Sequence, residues 1–191
     1  MEIIFIPKHT ADDLMNYNIE EIQSSHFDSI KKDLESINSS YSLKEINLGT
    51  GADWALILAV IGGISGVFML GDKIETGIAG WIKVGKRIKS IFEKTDKIYL
   101  DIDAAKILAL EYISQTIEIN SLTVLDTNII EILDLSTILL DRKPTDFIAK
   151  PYAVYMLTFR INENIQILLS VRSDGKIKEI YKFNDEFLLP F

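Results

Sequence analysis

The chain lacks cysteine altogether, and it has only two histidines and four prolines among its 191 residues. The absence of cysteine excludes disulfides, thiolate metal sites and cysteine nucleophiles. It is typical of proteins kept in a reducing compartment, so we expect a cytoplasmic protein. Basic residues are also few, since 20 of them stand against 28 acidic ones and give a net charge of -8. Nucleic-acid phosphates repel such a chain, and we therefore expect no nucleic-acid partner.

Motifs for catalysis and cofactor binding are absent as well. Serine-nucleophile motifs, a Walker loop and zinc signatures do not occur in the sequence. His9, Asp12 and Asp13 share one loop that offers ligands to a divalent metal, although a solvated acidic turn explains the same residues. Asp101 and Asp103 precede a predicted helix, where carboxylates cap free N–H groups. We therefore expect no enzymatic activity, no metal and no cofactor.

Hydrophobic patterning predicts an α+β chain that folds as a single domain over residues 1–191. A strand-helix-strand unit occupies 1–52, a helical part 53–120 and a β-rich part 121–191. In the first unit we expect strands near 2–6 and 41–48 and a helix over 18–37.

The C-terminal region carries the clearest strand signals. The runs "YAVYMLTFRI", "IQILLSVR" and "IKEIYKF" are separated by turn residues, so they predict a three-stranded antiparallel meander. Asp174 and Gly175 form a dipeptide that is typical of a type I′ turn. Because lysines line one face of the last run, it is expected at the edge of a sheet.

The run from Trp54 to Leu70 contains seventeen residues without a charge and allows three interpretations. In the first, it is one helix of a hairpin over about 53–95, and small residues let the two helices pack closely, since helical glycines need an offsetting contact. The other helix, around "GWIKVGKRIKSI", is amphipathic. The predicted seam consists of Trp54, Ala59, Gly62, Gly63 and Gly66 in one helix and Gly77, Trp81 and Gly85 in the other.

The second interpretation is a membrane segment, because seventeen apolar residues lie at the lower limit of what spans a core of about 30 Å. Trp54 would lie at the interface, and the protein would be a single-pass or peripheral inner-membrane protein. The third interpretation takes "LGTGAD" as a phosphate cradle at a helix N-terminus. Asp53 disfavours it, since its negative charge lies where a phosphate would bind.

Basic residues cluster on one side of the predicted amphipathic helix. As the polar face of an ordinary amphipathic helix they need no further role, but they also suit docking to an acidic partner or to an anionic membrane surface. The residues of this candidate partner-binding face are Lys83, Lys86, Arg87, Lys89 and Lys94.

Taken together, "GTGAD", the glycine-rich run and "GWIKVGKRIKSI" resemble the small effector-associated components of bacterial conflict systems. The resemblance covers about residues 44–94 and carries no catalytic signature. It implies an accessory or adaptor protein that docks onto an effector. We therefore expect a non-enzymatic interaction protein, either an adaptor or an immunity-type regulator that binds a toxin. The alternative is a membrane-acting protein that inserts residues 54–70.

Overall fold

The computed structural model describes residues 1–8, 25–47, 55–63, 70–134, 147 and 150–184. These residues form three helices and two antiparallel sheets, which confirms the predicted α+β class. The helices are α1 (Ser25–Ile37), α2 (Ile78–Glu93) and α3 (Ile102–Ser114). The strands are β1 (Glu2–Pro7), β2 (Tyr41–Asn47), β3 (Ala55–Ile61), β4 (Lys73–Ile74), β5 (Thr95–Leu100), β6 (Leu122–Leu133), β7 (Tyr152–Ile161), β8 (Ile165–Arg172) and β9 (Ile177–Asn184).

Sheet 1 has the strand order β2-β3-β1-β5, with β1 and β3 in the centre. The strands predicted near residues 2–6 and 41–48 are confirmed as β1 and β2, and α1 confirms the predicted helix from Ser25 onward. The helical assignment of 18–24 lies outside the described residues.

The predicted helical hairpin over 53–95 is wrong, because its first half contains the strand β3. This strand pairs along its length with β2 on one side, and its residues 57–60 pair with β1 on the other. Its sequence, "ALILAVI", is apolar at every position because side chains on both of its faces are buried, as at Leu58 and Ala59. A continuous apolar run has no periodicity that separates helix from strand.

The predicted glycine seam is therefore not formed between these two segments. Ala59 lies in β3, whereas Gly62 and Gly63 lie in the turn that follows it. Gly63 has a φ of 72°, a left-handed conformation that glycine adopts without steric cost. Trp54 and Gly66 lie outside the described residues.

The second half of the hairpin is confirmed as α2, but a different element packs against it. Gly77 caps the N-terminus of α2, and Trp81 is half-buried. Gly85 is buried against α3, where a methyl group in place of its hydrogen would lie 2.7 Å from Glu111 Cβ and 3.0 Å from the Ile107 carbonyl oxygen. The close approach predicted at Gly85 exists, and its partner is α3.

Sheet 2 has the strand order β4-β6-β7-β8-β9, and β7, β8 and β9 form the predicted C-terminal meander. As expected, the lysine-rich β9 lies at one edge of this sheet. The turn chemistry differs from the prediction. Positive φ values at both residues of a pair occur at Asn162 and Glu163, between β7 and β8, whereas in the Asp174-Gly175 pair only Gly175 has one.

A buried cluster holds the two sheets and the helices together. It contains Phe5 of β1, Ile88 of α2, Leu108 of α3 and Phe159 of β7. Leu100, at the end of β5, joins the sheets directly through its backbone. Its N–H donates to the Ser173 carbonyl oxygen at 2.7 Å, and its own carbonyl oxygen accepts from the Tyr155 hydroxyl at 2.8 Å.

Within the described ranges, no helix combines the length and the hydrophobicity that crossing a bilayer requires. In the run from Trp54 to Leu70, residues 55–61 form the strand β3, so the interpretation of this run as a continuous inserted helix does not fit the fold.

Gly85→Ala should destabilise the fold by about 1–3 kcal/mol, because the added methyl group would overpack the contact between α2 and α3. Gly80 is the matched control, since it lies in the same helix and nothing is within 4 Å of an added Cβ. Gly80→Ala should stabilise by up to about 1 kcal/mol through helix propensity. Urea denaturation measures both changes, and equal effects at the two positions would contradict the packing at Gly85.

Candidate functional site

Four residues of the predicted basic face lie on α2 and the fifth, Lys94, is its C-cap, and the fold uses much of this face internally. The Arg87 guanidinium lies 3.9 Å from Asp33 Oδ1, and the Lys94 ammonium forms an ion pair with Asp33 Oδ2. Lys89 Nζ lies 3.6 Å from Glu111 Oε2. Three of the five basic residues therefore attach α2 to acids of α1 and α3.

Asp33 is the centre of this arrangement. Its side chain is buried to about nine tenths, and the Ser90 hydroxyl donates to its Oδ2 at 3.0 Å. A buried carboxylate retains its charge only where cations and hydrogen bonds replace its lost hydration. The polar contacts between α1 and α2 are thus concentrated on one acid.

Lys83 and Lys86 are the remaining members of the basic face. Both are exposed, and neither forms an ion pair within the part of the chain that the structure describes. The structure therefore does not present the five predicted residues as one free docking face, and partner binding at Lys83 and Lys86 stays a prediction.

Asp33→Ala should lower the free energy of unfolding by about 2–4 kcal/mol, because it leaves the Lys94 ammonium partly buried without its carboxylate. Asp28→Asn is the control, since Asp28 is exposed on the same helix, and its effect should remain within about 0.5 kcal/mol. Urea denaturation measures both. If Asp33→Ala lowers the free energy of unfolding no more than Asp28→Asn does, the buried carboxylate of Asp33 contributes little to stability.

Of the two capping candidates in the sequence, Asp101 is the N-cap of α3, whereas Asp103 lies in the first turn of the helix. Its Oδ1 accepts from the Ala104 N–H at 2.8 Å, and its Oδ2 accepts from the Glu2 N–H at 2.5 Å. Burial nevertheless raises the pKa of Asp101 to about 6, although these hydrogen bonds favour the charged form. Its carboxylate contacts backbone donors where β1 meets α3, so its role is structural.

A raised pKa means that the folded chain binds the Asp101 proton more tightly than the unfolded chain does. The resulting stabilisation is present below about pH 4 and is lost as the pH rises through about 6, and it amounts to about 3 kcal/mol. Asp101→Asn retains a capping side chain and removes the titration. Relative to this variant, the native chain should therefore lose stability between pH 4 and 7 in urea denaturation. A constant difference between the two would contradict the raised pKa.

The strongest candidate for contact with another molecule is the outer half of β6, residues 126–133, which we call the β6 edge. β7 pairs with it on one side. On the other side, β4 pairs only with Leu122 and Thr123, so no described strand pairs with residues 126–133. The exposed fractions of its large apolar side chains are 47% for Ile129, 50% for Ile130, 65% for Ile132 and 46% for Leu133.

Two bulges in β6 determine where these side chains point. The register against β7 shifts between Val124 and Asp126 and again between Glu131 and Leu133. Each bulge adds an unpaired residue and changes the alternation of the strand. Between the two shifts the alternation is regular, so the neighbours Ile129 and Ile130 lie on opposite faces of the sheet, across from Tyr155 and Val154.

A cleft of about 480 Å³ adjoins the β6 edge, between β5 and the ends of β6, β7 and β8. Ile132 belongs to both features. The Tyr99 and Tyr152 rings meet edge to face with centroids 4.8 Å apart, and the Tyr99 hydroxyl donates to that of Tyr152 at 3.1 Å. Burial, helped by this hydrogen bond, raises the pKa of Tyr99, so the phenol remains protonated.

The cleft also contains charged groups of both signs. Lys97, Asp96, Arg172 and Asp174 line it, and Arg172 pairs with Asp174 at 2.6 Å. Among the described residues, no group of three or more side chains could hold a metal ion. His9, Asp12 and Asp13, the metal ligands considered from the sequence, lie outside these residues. The described lining of the cleft thus combines charged and aromatic side chains.

Sequence reasoning did not identify the β6 edge. The signal was present in "NIIEIL", a run of four large apolar residues around one acid. From the sequence it reads as an ordinary buried strand, and only the topology shows that no described strand covers its outer side. No protein-family model matches the chain, and neither a curated protein nor a solved structure matches it.

Proposed function

We propose that the chain is a non-enzymatic interaction protein and that a protein partner binds at the β6 edge. The observation that carries this proposal is the exposure of Ile129, Ile130, Ile132 and Leu133 on a strand that, among the described strands, is paired there on one side only. Contiguous exposed apolar residues mark interaction sites, and an open strand edge is a template for pairing with another chain.

The neighbouring cleft supports the same proposal. Tyrosine and arginine are enriched at the energetic centres of protein interfaces, and here Tyr99, Tyr152 and Arg172 lie beside Ile132. A partner that pairs with the β6 edge would extend naturally into this cleft, which would bury its side chains further.

The proposed biological setting is that of an accessory, an adaptor or an immunity-type protein that binds an effector or a toxin. Its support is the resemblance of residues 44–94 to effector-associated components, in particular the segment "GWIKVGKRIKSI", which lies within α2. The net charge of -8 suits a basic partner, because opposite net charges accelerate association.

Replacing Ile130 and Ile132 together by lysine should weaken binding of a purified partner at least about tenfold, because it removes apolar contacts and adds charge at the interface centre. The partner is first captured by crosslinking in the native cells and then purified. Titration calorimetry with the purified pair measures the affinity.

The matched control replaces Ile180 and Tyr181 of β9 by lysine. These residues are similarly exposed, at 48% and 58%, but lie at the opposite edge of sheet 2. Affinity should remain unchanged in this control. If both double variants bind the partner as tightly as the native chain, the β6 edge is not the binding site.

A further inference from the structure

We infer that the partner presents to the β6 edge an extended segment with alternating apolar and basic side chains, which adds to sheet 2 as a further strand. This inference rests on the proposed function, and it specifies the chemistry of the partner.

The backbone of β6 is suited to strand addition. In an antiparallel pair, the N–H and C=O groups of alternate residues point toward the partner strand, and those of the residues between point away from it. Along residues 126–133, one of these two sets of N–H and C=O groups faces β7, and no described strand pairs with the other set. An extended segment of about eight residues would satisfy this second set, as in known complexes formed by strand addition.

The side chains of the edge require contacts on both faces of the sheet. Ile129 and Glu131 lie opposite Tyr155 and Ala153, which are buried, and therefore lie on the core-facing side. Ile130 lies opposite Val154, on the outer face. Every second residue of an added strand would therefore lie beside Ile130 on the outer face. The residues between them would lie beside Ile129 and Glu131 on the core-facing side.

The charge of the edge selects basic residues in the added strand. Asp126 and Glu131 are exposed there, and Lys150 pairs with Glu131 at 2.6 Å. Two carboxylates against one lysine leave a net negative charge among these residues. Opposite charges on directly opposed residues stabilise a strand pair and like charges destabilise it. A basic residue opposite Glu131 is thus favoured over an acidic one.

Strand β9 shows that this kind of strand occurs at an edge of the same sheet. It exposes Lys178 and Lys182 together with Ile180 and Tyr181. A second copy could in principle offer β9 to the β6 edge, but two copies that each carry a charge of -8 repel one another at long range. We therefore assign the edge to a basic segment of a different protein and test the second copy directly.

The experiment uses the full chain and fluorescein-labelled eight-residue peptides, with binding followed by fluorescence anisotropy. One peptide alternates tyrosine and lysine, and a second alternates tyrosine and glutamate. A third repeats the lysine peptide with N-methylated backbone amides on alternate residues, which removes the donors needed for strand pairing. The lysine peptide should bind at least about tenfold more tightly than either of the others, with an affinity that falls as salt is added.

Two substitutions test whether the preference for the lysine peptide arises at the β6 edge. Glu131→Lys should reduce the preference for lysine over glutamate to less than about threefold, because it reverses the charge at the centre of the edge. Glu179→Lys, an equal change of charge on β9 at the opposite edge, should leave the preference intact. Both variants should keep the native unfolding midpoint in urea, since both side chains are exposed.

Several outcomes overturn the inference. Equal binding of the lysine and glutamate peptides removes the charge preference, and equal binding of the N-methylated peptide removes strand addition. Sedimentation experiments test for self-association of the chain. If the chain self-associates and the double substitution Ile180→Lys with Tyr181→Lys abolishes this, the occupant is a second copy. None of these results depends on the purified partner. Failure of the proposed function is therefore recognised separately: the partner would bind the native chain and the variant with Ile130 and Ile132 replaced by lysine with equal affinity.

Discussion

The fold depends on the backbone of Leu100, where the two sheets are joined. Its N–H and C=O groups both form hydrogen bonds with sheet 2, through the Ser173 carbonyl oxygen and the Tyr155 hydroxyl. The next residue, Asp101, begins α3, and α3 packs between Gly85 of α2 and the core-facing side of sheet 2. One short segment thus sets the positions of both sheets and of the central helix. Buried backbone groups in such a place must be paired, which fixes the geometry closely.

The candidate site follows from this junction. The two sheets meet at Leu100 and Ser173, and the cleft lies beside that contact. The β6 edge adjoins the cleft, with Ile132 in both. The site is therefore built on strands whose relative positions the junction holds. Three of the five basic residues at α2, namely Arg87, Lys89 and Lys94, serve a different purpose, because they pair with Asp33 and Glu111 and hold the helices together.

The sequence predicted the elements that have a distinct local pattern of hydrophobic, capping or turn residues. α2 has a clear helical period, Asp101 caps α3, and the strands of the meander are separated by recognisable turn residues. The sequence failed at β3, where an apolar residue at every position gives no period. It also could not show the β6 edge, because whether a strand is covered is decided by the order of strands in the sheet. Local patterns predict elements, whereas contacts between distant parts of the chain determine surfaces.

The position of β1 has a consequence for how the chain folds. Ile4 pairs with Leu58 on one side and with Tyr99 on the other, which follow it by about 55 and 95 residues. The strands of the meander, in contrast, pair with their neighbours in sequence. Contacts between distant residues form slowly, because a long loop must close before they are gained. During synthesis the first strand therefore leaves the ribosome long before both of its neighbours exist, and sheet 1 is completed only after β5 has emerged.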